Sequence, residues 1–265
     1  PYFHPRKIYL DSPKVKFWGK RRKGAVCSIS SDENSSNSLV RKRKIVEHIC
    51  LLKAKKDLSE EEEKDMLDYL YTSQYHMGGI VAISLGQTLD QNPENYTHAV
   101  YMRFQKKDDL TKFYENPLYL RVLKDHVTPH CQHVLYFDFE SDVEDDILAI
   151  FRKGEEFNYG VEFMLLIKFI DSALNGTAAD ALTSLANLAA EFPSLIVQST
   201  QGCNFNRTNQ EYTHGVLIRF RSAEAQQIFL DSSEYKQLWR SKLQPISQKT
   251  LSFQFLVDPV GTELM

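Results

Sequence analysis

Cysteine is scarce: four in 265 residues, Cys27, Cys50, Cys131 and Cys203. They are scattered and none stands in a C-x-x-C pair, which argues against both a disulfide framework and a zinc site and reads as free thiols in a reducing compartment. Long apolar runs are missing too. None approaches the ~20 residues of a membrane-crossing helix, and there is no secretory apolar region. Excess positive charge is absent, since the net charge is −3, so no overall basic field draws the chain to nucleic acid or to an anionic membrane. The terminal TELM is not a peroxisomal tripeptide of the S-K-L type.

What remains is a globular mix, 42% hydrophobic and 25% charged, of a length that suits one large domain or two small ones. The first 45 residues stand apart. Residues 1–30 carry eight Lys or Arg against one acid, Asp11, and a Ser/Asn-rich stretch, SISSDENSSNS, follows. Such a segment reads either as a plastid transit sequence or as a merely disordered basic tail. Plastid residence is the expectation, with cytoplasm or peroxisome as alternatives. The run RKRK at 41–44 reads as part of that solvated tail.

From Val46 the chain repeats itself. NYTHAVYMRF at 95–104 returns as EYTHGVLIRF at 211–220, offset by 116 residues, and VEHICLLK at 46–53 returns as VEFMLLIK at 161–168. Both opening runs have strand length. A helix signal follows each. Ser59 and Glu62 form a capping box ahead of Met66, Leu67, Leu70 and Tyr71, and Thr177 with Asp180 precedes Leu182, Leu185, Leu188 and Ala189. Ile80–Leu85 and Leu195–Val197 read as second strands, each ending in a turn at Gly86 or Gly202. The repeated stretch is a third strand. One long helix comes next in each copy, stopped near Pro129 or Pro245, and QHVLYFDF or QKTLSFQF is a fourth strand. Each copy is therefore β-α-β-β-α-β, the ferredoxin-like order. The expected domains are 46–140 and 161–260, joined over 141–160 by a short linker helix.

Along the repeated strand, Tyr96, His98, Val100, Met102 and Phe104 alternate with Thr97, Ala99, Tyr101 and Arg103, and the second copy alternates in the same way. The first set is more apolar and belongs under the helices. The second set then lies on an open sheet face that two units in one chain can cover mutually. The expected fold is α+β: two ferredoxin-like units packed sheet to sheet as an internal pseudo-dimer, with further homodimerisation left open.

These residues resemble the stress-responsive A/B barrel family, also called dimeric α/β barrel or Dabb, in its plant form. VEHICLLK, YTHAVYMRF and the helix carrying NPLY are similar to that family's first strand, third strand and second helix, and the likeness spans about 46–140 and 161–258. The resemblance implies a tandem member with a stress-response role, holding a small apolar ligand between sheet and helices without catalysis. Some family members resemble polyketide cyclases, which implies a helix-side site of His48, Tyr96, His98, Phe113 and Tyr119 in the first unit. His214 and Tyr235 stand in the second unit, where Phe163 replaces His48 and Phe229 replaces Phe113. His98 is the better placed for a ligand, with His48 as its polar partner across the sheet, and the second unit's cavity should be the better filled. The alternative is a cyclase-like or monooxygenase-like enzyme. A tandem RNA-recognition module is a further alternative, but the open strand-three face offers one aromatic, Tyr101, where such modules need a stacking platform. His126, His130 and His133 near Cys131 read as solvated helix-end residues, and neither a metal nor a cofactor is expected.

Overall fold

A computed structural model describes residues 42–89, 91–144 and 160–257 of the chain. The first unit runs β1 (Lys42–Ala54), α1 (Glu60–His76), β2 (Ile80–Gln87), β3 (His98–Phe104), α2 (Lys107–Tyr114), α3 (Pro117–Val122) and β4 (Cys131–Glu144). The second runs β5 (Val161–Phe169), α4 (Thr177–Ala190), β6 (Ile196–Cys203), β7 (His214–Phe220), α5 (Ala223–Asp231), α6 (Ser233–Leu238) and β8 (Ser247–Leu256). Both sheets are antiparallel and share one order, β2-β3-β1-β4 and β6-β7-β5-β8. The expected ferredoxin-like duplication is what the chain adopts.

Several boundaries differ from the sequence reading. β1 begins at Lys42, so Lys42, Arg43 and Lys44 are strand, and Lys42 and Lys44 face Glu144 and Asp142 across the ladder. Opposite charges directly across an antiparallel pair attract, which draws the basic run into the sheet. By the same pairing, residues 141–144 are strand, and 145–159 of the expected linker helix, like residues 1–41, lie outside the described residues. The single long helix is two. Pro117 lacks a donor and disfavours a helical residue before it, so the chain breaks at Asn116, whose side chain then caps α3 through Leu118 N at 2.8 Å. In the second unit Ser232 breaks the helix and caps Tyr235 N at 3.2 Å. The Ser59–Glu62 capping box forms as expected. Thr177 is not a cap, because Gly176, at φ 122°, takes the position before α4.

Three layers of core result. Val46, Cys50, Leu52, Val100, Met102 and Phe104 pack under α1 to α3. Phe163, Leu165, Val216, Ile218 and Phe220 pack under α4 to α6. Between the sheets lie Ile49, Leu51, Ala99, Tyr101, Phe137 and Phe139 against Met164, Leu166, Leu217, Phe253 and Phe255. Each large side chain enclosed there contributes about 2 kcal/mol.

The sheets also join at their edges. Thr88 bridges Phe255 at one seam, and Leu89 N donates to Gln254 O at 2.9 Å; Phe205 N donates to Asp138 O at 2.9 Å at the other. Gly86 and Gly202 sit inside β2 and β6 at these seams rather than in turns after them. A Cβ on Gly86 would meet Leu256 O at 2.9 Å, and one on Gly202 would come closer still to Glu140 O. The repeated glycine is there because another strand's backbone passes too close for a side chain.

Candidate functional site

On the helix side of the first sheet, His48 is fully buried. Its Nδ1 lies 2.7 Å from Asp138 Oδ1, on the neighbouring strand, at the position paired with His48. Tyr114, at the end of α2, donates its hydroxyl to Asp138 Oδ2 at 2.9 Å and lies 3.2 Å from His48 Nδ1. Burial and the adjacent Asp138 carboxylate push the Tyr114 phenol far above its ordinary range, so it stays protonated. Asn206, from the β6–β7 loop of the other unit, donates to Asp138 Oδ2 at 2.6 Å and to the Tyr114 hydroxyl at 3.1 Å. With Asp138 accepting from Nδ1, the lone pair of His48 sits on Nε2, which is buried without a hydrogen-bond partner among the described residues. Its ring stacks on Tyr136 at 5.9 Å and meets Phe113 and Phe104 edge-on at 5.9 and 6.2 Å. The chemistry is that of a base held in one tautomer by a carboxylate, inside an aromatic cage.

The second unit has kept the frame and changed the contents. At the positions of His48, Tyr114, Tyr136 and Asp138 stand Phe163, Leu230, Ser252 and Gln254. Replacing the Tyr136 ring by a serine opens a cleft of about 530 Å³ between sheet and helices, lined by Phe163, Leu165, Leu230, Tyr235 and Trp239 with Thr250, Ser252, Gln226 and Gln254 as polar edge. Gln91, Asn92 and Pro93 of the first unit's β2–β3 stretch complete it. Burial raises the Tyr235 hydroxyl to about 12. Around His48 four aromatic rings fill the matching space, and the first unit's own cavity, about 460 Å³, lies instead between α1 and the end of β2, lined by Glu63, Leu67, Tyr71, Leu85 and Gln87.

The remaining expected site residues are dispersed. His98 and His48 do not meet, because His98 pairs with Leu52 and His48 with Met102, four residues or about 13 Å apart along β1. His98 Nε2 instead contacts the Glu63 carboxylate, and its Nδ1 lies 2.8 Å from Thr97 Oγ1. Tyr96 is not under the helices. Asn95 has φ 57°, which turns the chain before β3 starts, so Tyr96 enters the core between the sheets with its hydroxyl 3.1 Å from His133 Nδ1. Phe113 and Tyr119 lie against each other as tilted rings, 3.9 Å between centroids, in the first helix-side core. His214 faces Cys203 and Thr213. His126 pairs with Asp65 and stacks on Tyr69, His130 lies 4.0 Å from Glu62, and no group of three metal-ligating side chains is assembled among the described residues.

Sequence reasoning passed over a polar cluster at the centre of the molecule. Glu47 accepts from Arg103 at 2.6 and 3.1 Å, from Tyr101 at 2.5 Å and from Thr200 at 2.9 Å, while Arg219 donates to Glu162 at 3.0 Å. Gln198 Oε1 bridges Arg103 and Arg219, at 2.6 and 3.2 Å, and all four charged side chains are buried. Burial pulls the Glu47 carboxyl upward, but Arg103 and Arg219 overcome it and hold the group below its usual range; at Glu162 burial prevails and raises it. The signal was present: Glu and Arg recur at matching places in both repeats, on the face assigned to the barrel interior.

An antiparallel ferredoxin-like pair, closed sheet on sheet into a barrel with helices on its outer faces, is the class this fold defines. The family model for the Stress responsive A/B Barrel Domain matches residues 46–141 and again 161–257. The chain belongs to that family as a tandem member. Its sequence is 22% identical over 215 residues to a stress-response A/B barrel domain-containing protein of Arabidopsis thaliana, covering 80% of this chain and 79% of that protein. Among solved structures, a proposed monooxygenase from Fusobacterium nucleatum superposes with TM-score 0.59 at 9% identity, over 81% of this chain and 92% of that one. An anthrone oxidase-like protein does so with TM-score 0.58 at 10% identity, over 81% and 91%. At such identities these two establish the fold alone.

Proposed function

We propose that this stress-response barrel acts without catalysis, by holding a small, flat, largely apolar molecule with a polar edge in the cleft of its second unit. The carrying observation is that cleft: about 530 Å³, an aromatic and aliphatic floor, and a rim of amide and hydroxyl groups. Its size is that of ordinary small-molecule sites, and polar and apolar side chains line it in near-equal number. Among the described residues the polar rim has no acid–base pair, which supports binding over turnover. Trp239 lines the cleft and reports occupancy by its fluorescence. In a Trp18→Phe background, 1-naphthol should quench it saturably, and Ser252→Tyr, which restores the ring found at Tyr136, should weaken the probe at least about tenfold. Equal affinity in both chains would sink the assignment.

An enzymatic reading has one observation in its favour, the His48–Asp138–Tyr114 group with its unshared Nε2 lone pair. Turnover of a poly-β-keto thioester by the parent, lost in His48→Gln with the melting temperature unchanged, would replace binding by catalysis. Plastid residence rests on the basic, Ser-rich composition of residues 1–45; import of a fluorescent fusion by isolated chloroplasts tests it.

A further inference from the structure

Cys203 ends β6 directly opposite His214 at the start of β7, and its Sγ lies 3.2 Å from Nε2 of that imidazole. Thr213 decides which ring nitrogen carries the proton. With its hydroxyl donating to Ile167 O at 3.1 Å and accepting from Phe169 N at 3.2 Å, its second lone pair faces His214 Nδ1, 3.0 Å away. In that arrangement Nδ1 bears the hydrogen and Nε2 turns its lone pair to the thiol. Nucleophile, base and orienting group stand in line, the arrangement that activates a cysteine.

The duplication sharpens the point. In the first unit Gln87 occupies the place of Cys203, opposite His98, and the same threonine clamp, Thr97, holds His98 Nδ1. There the outer nitrogen meets Glu63. The second unit keeps the threonine–histidine pair and puts a thiol before it.

The other described thiols are unlike it. Cys50 is buried and pushed well up by that burial, and burial raises Cys131 to about 11. Cys203 is exposed and a free thiol. Around His214 stand Thr213, Cys203 and the edge of the Phe169 ring at 5.0 Å; burial lowers its titration, so the imidazole is neutral at neutral pH and keeps its lone pair.

We propose that Cys203 is a nucleophilic modification site, activated by His214, for soft electrophiles of the α,β-unsaturated carbonyl class. The Sγ proton passes to Nε2 as a sulfur electron pair forms the C–S bond at the β-carbon. The π pair of the broken C=C bond moves towards the carbonyl, and the proton held on His214 returns to the α-carbon. The thioether forms with no change in total electrons or protons, and the imidazole is regenerated neutral. His214 acts as base, and Thr213 positions it.

The test uses the full chain in a Cys27→Ser background with N-ethylmaleimide as probe, each cysteine followed by peptide mass spectrometry. At pH 7 Cys203 should react at least about tenfold faster than Cys131, and unfolding in urea should erase that difference. His214→Asn should slow Cys203 about tenfold at pH 7 and make its rate climb with pH towards an ordinary thiol near 8.5. Should His214→Asn misfold, the rate of Cys203 alone decides, since it should fall about tenfold when the parent is unfolded in urea. Identical pH profiles for parent and variant, or a Cys203 preference that survives unfolding, overturn the assignment.

Discussion

At the scale of single residues, the buried carboxylates Glu47 and Glu162 occupy matching places and have opposite electrostatic fates. Two guanidinium groups and the hydroxyls of Tyr101 and Thr200 hold Glu47. Glu162 has one oxygen on Arg219 and Ser84, and the other, Oε2, has no hydrogen-bond partner among the described residues. Removing one member of a buried, well-satisfied pair costs about 3–5 kcal/mol. Glu47→Gln should therefore lower the unfolding midpoint strongly at pH 7, and Glu162→Gln far less. The pH dependence has a definite sign. A carboxyl held below its unfolded value of about 4.3 stabilises the fold above that pH and loses the contribution as pH falls through its folded value. Glu162, raised on folding, works the other way: its ionisation weakens the fold as pH rises past the unfolded value. The gap between parent and Glu47→Gln should close below about pH 4.3, as read by urea denaturation across pH; a gap constant down to about pH 3 would contradict this.

At the scale of elements, the seams between β2 and β8 and between β4 and β6 turn two open sheets into a barrel. The β2–β3 and β6–β7 connections then reach the opposite unit: Pro93 lines the second cleft and Asn206 completes the His48 cluster. Gly202 approaches Glu140 O more closely than Gly86 approaches Leu256 O, and backbone cannot retreat as a flexible side chain would. Gly202→Ala should therefore cost about 1–3 kcal/mol, and Gly86→Ala less. Chemical denaturation of both variants checks the order, and the reverse order would mean that the β4–β6 seam yields more readily than its geometry implies.

At the scale of the whole molecule, neither unit is complete alone. Residues 42–144 by themselves would bare Ile49, Leu51, Tyr101, Phe137 and Phe139 and leave Glu47 and Arg103 without Gln198 and Thr200. That is a large apolar face with a half-satisfied charge pair at its centre. The isolated segment should self-associate or aggregate in analytical ultracentrifugation, and co-expression with 160–257 should restore a soluble 1:1 complex. A monodisperse monomer of 42–144 would mean that the sheet face is stable in water.

Strand, helix and repeat were all legible in the chain, because their determinants are local: alternation along 98–104 and 214–220, the Ser59–Glu62 box, and a spacing of 116 that carries Gly, His, Arg and Pro together. Sheet-on-sheet packing was legible as well, since two half-apolar faces in one chain must be covered. The pockets were not, because their contents come from distant places. His48 was readable as a candidate, but Asp138 lies 90 residues away and Asn206 belongs to the other unit. The second cleft opens where smaller side chains replace rings, Ser252 for Tyr136 and Leu230 for Tyr114, an effect that appears only when β4 and β8 are laid beside β1 and β5 and the helices closed over them. Alternation along a strand assigns a side chain to a face; the partners it meets there are chosen by the packing of strands and helices far apart in sequence, and that choice the tertiary structure alone made.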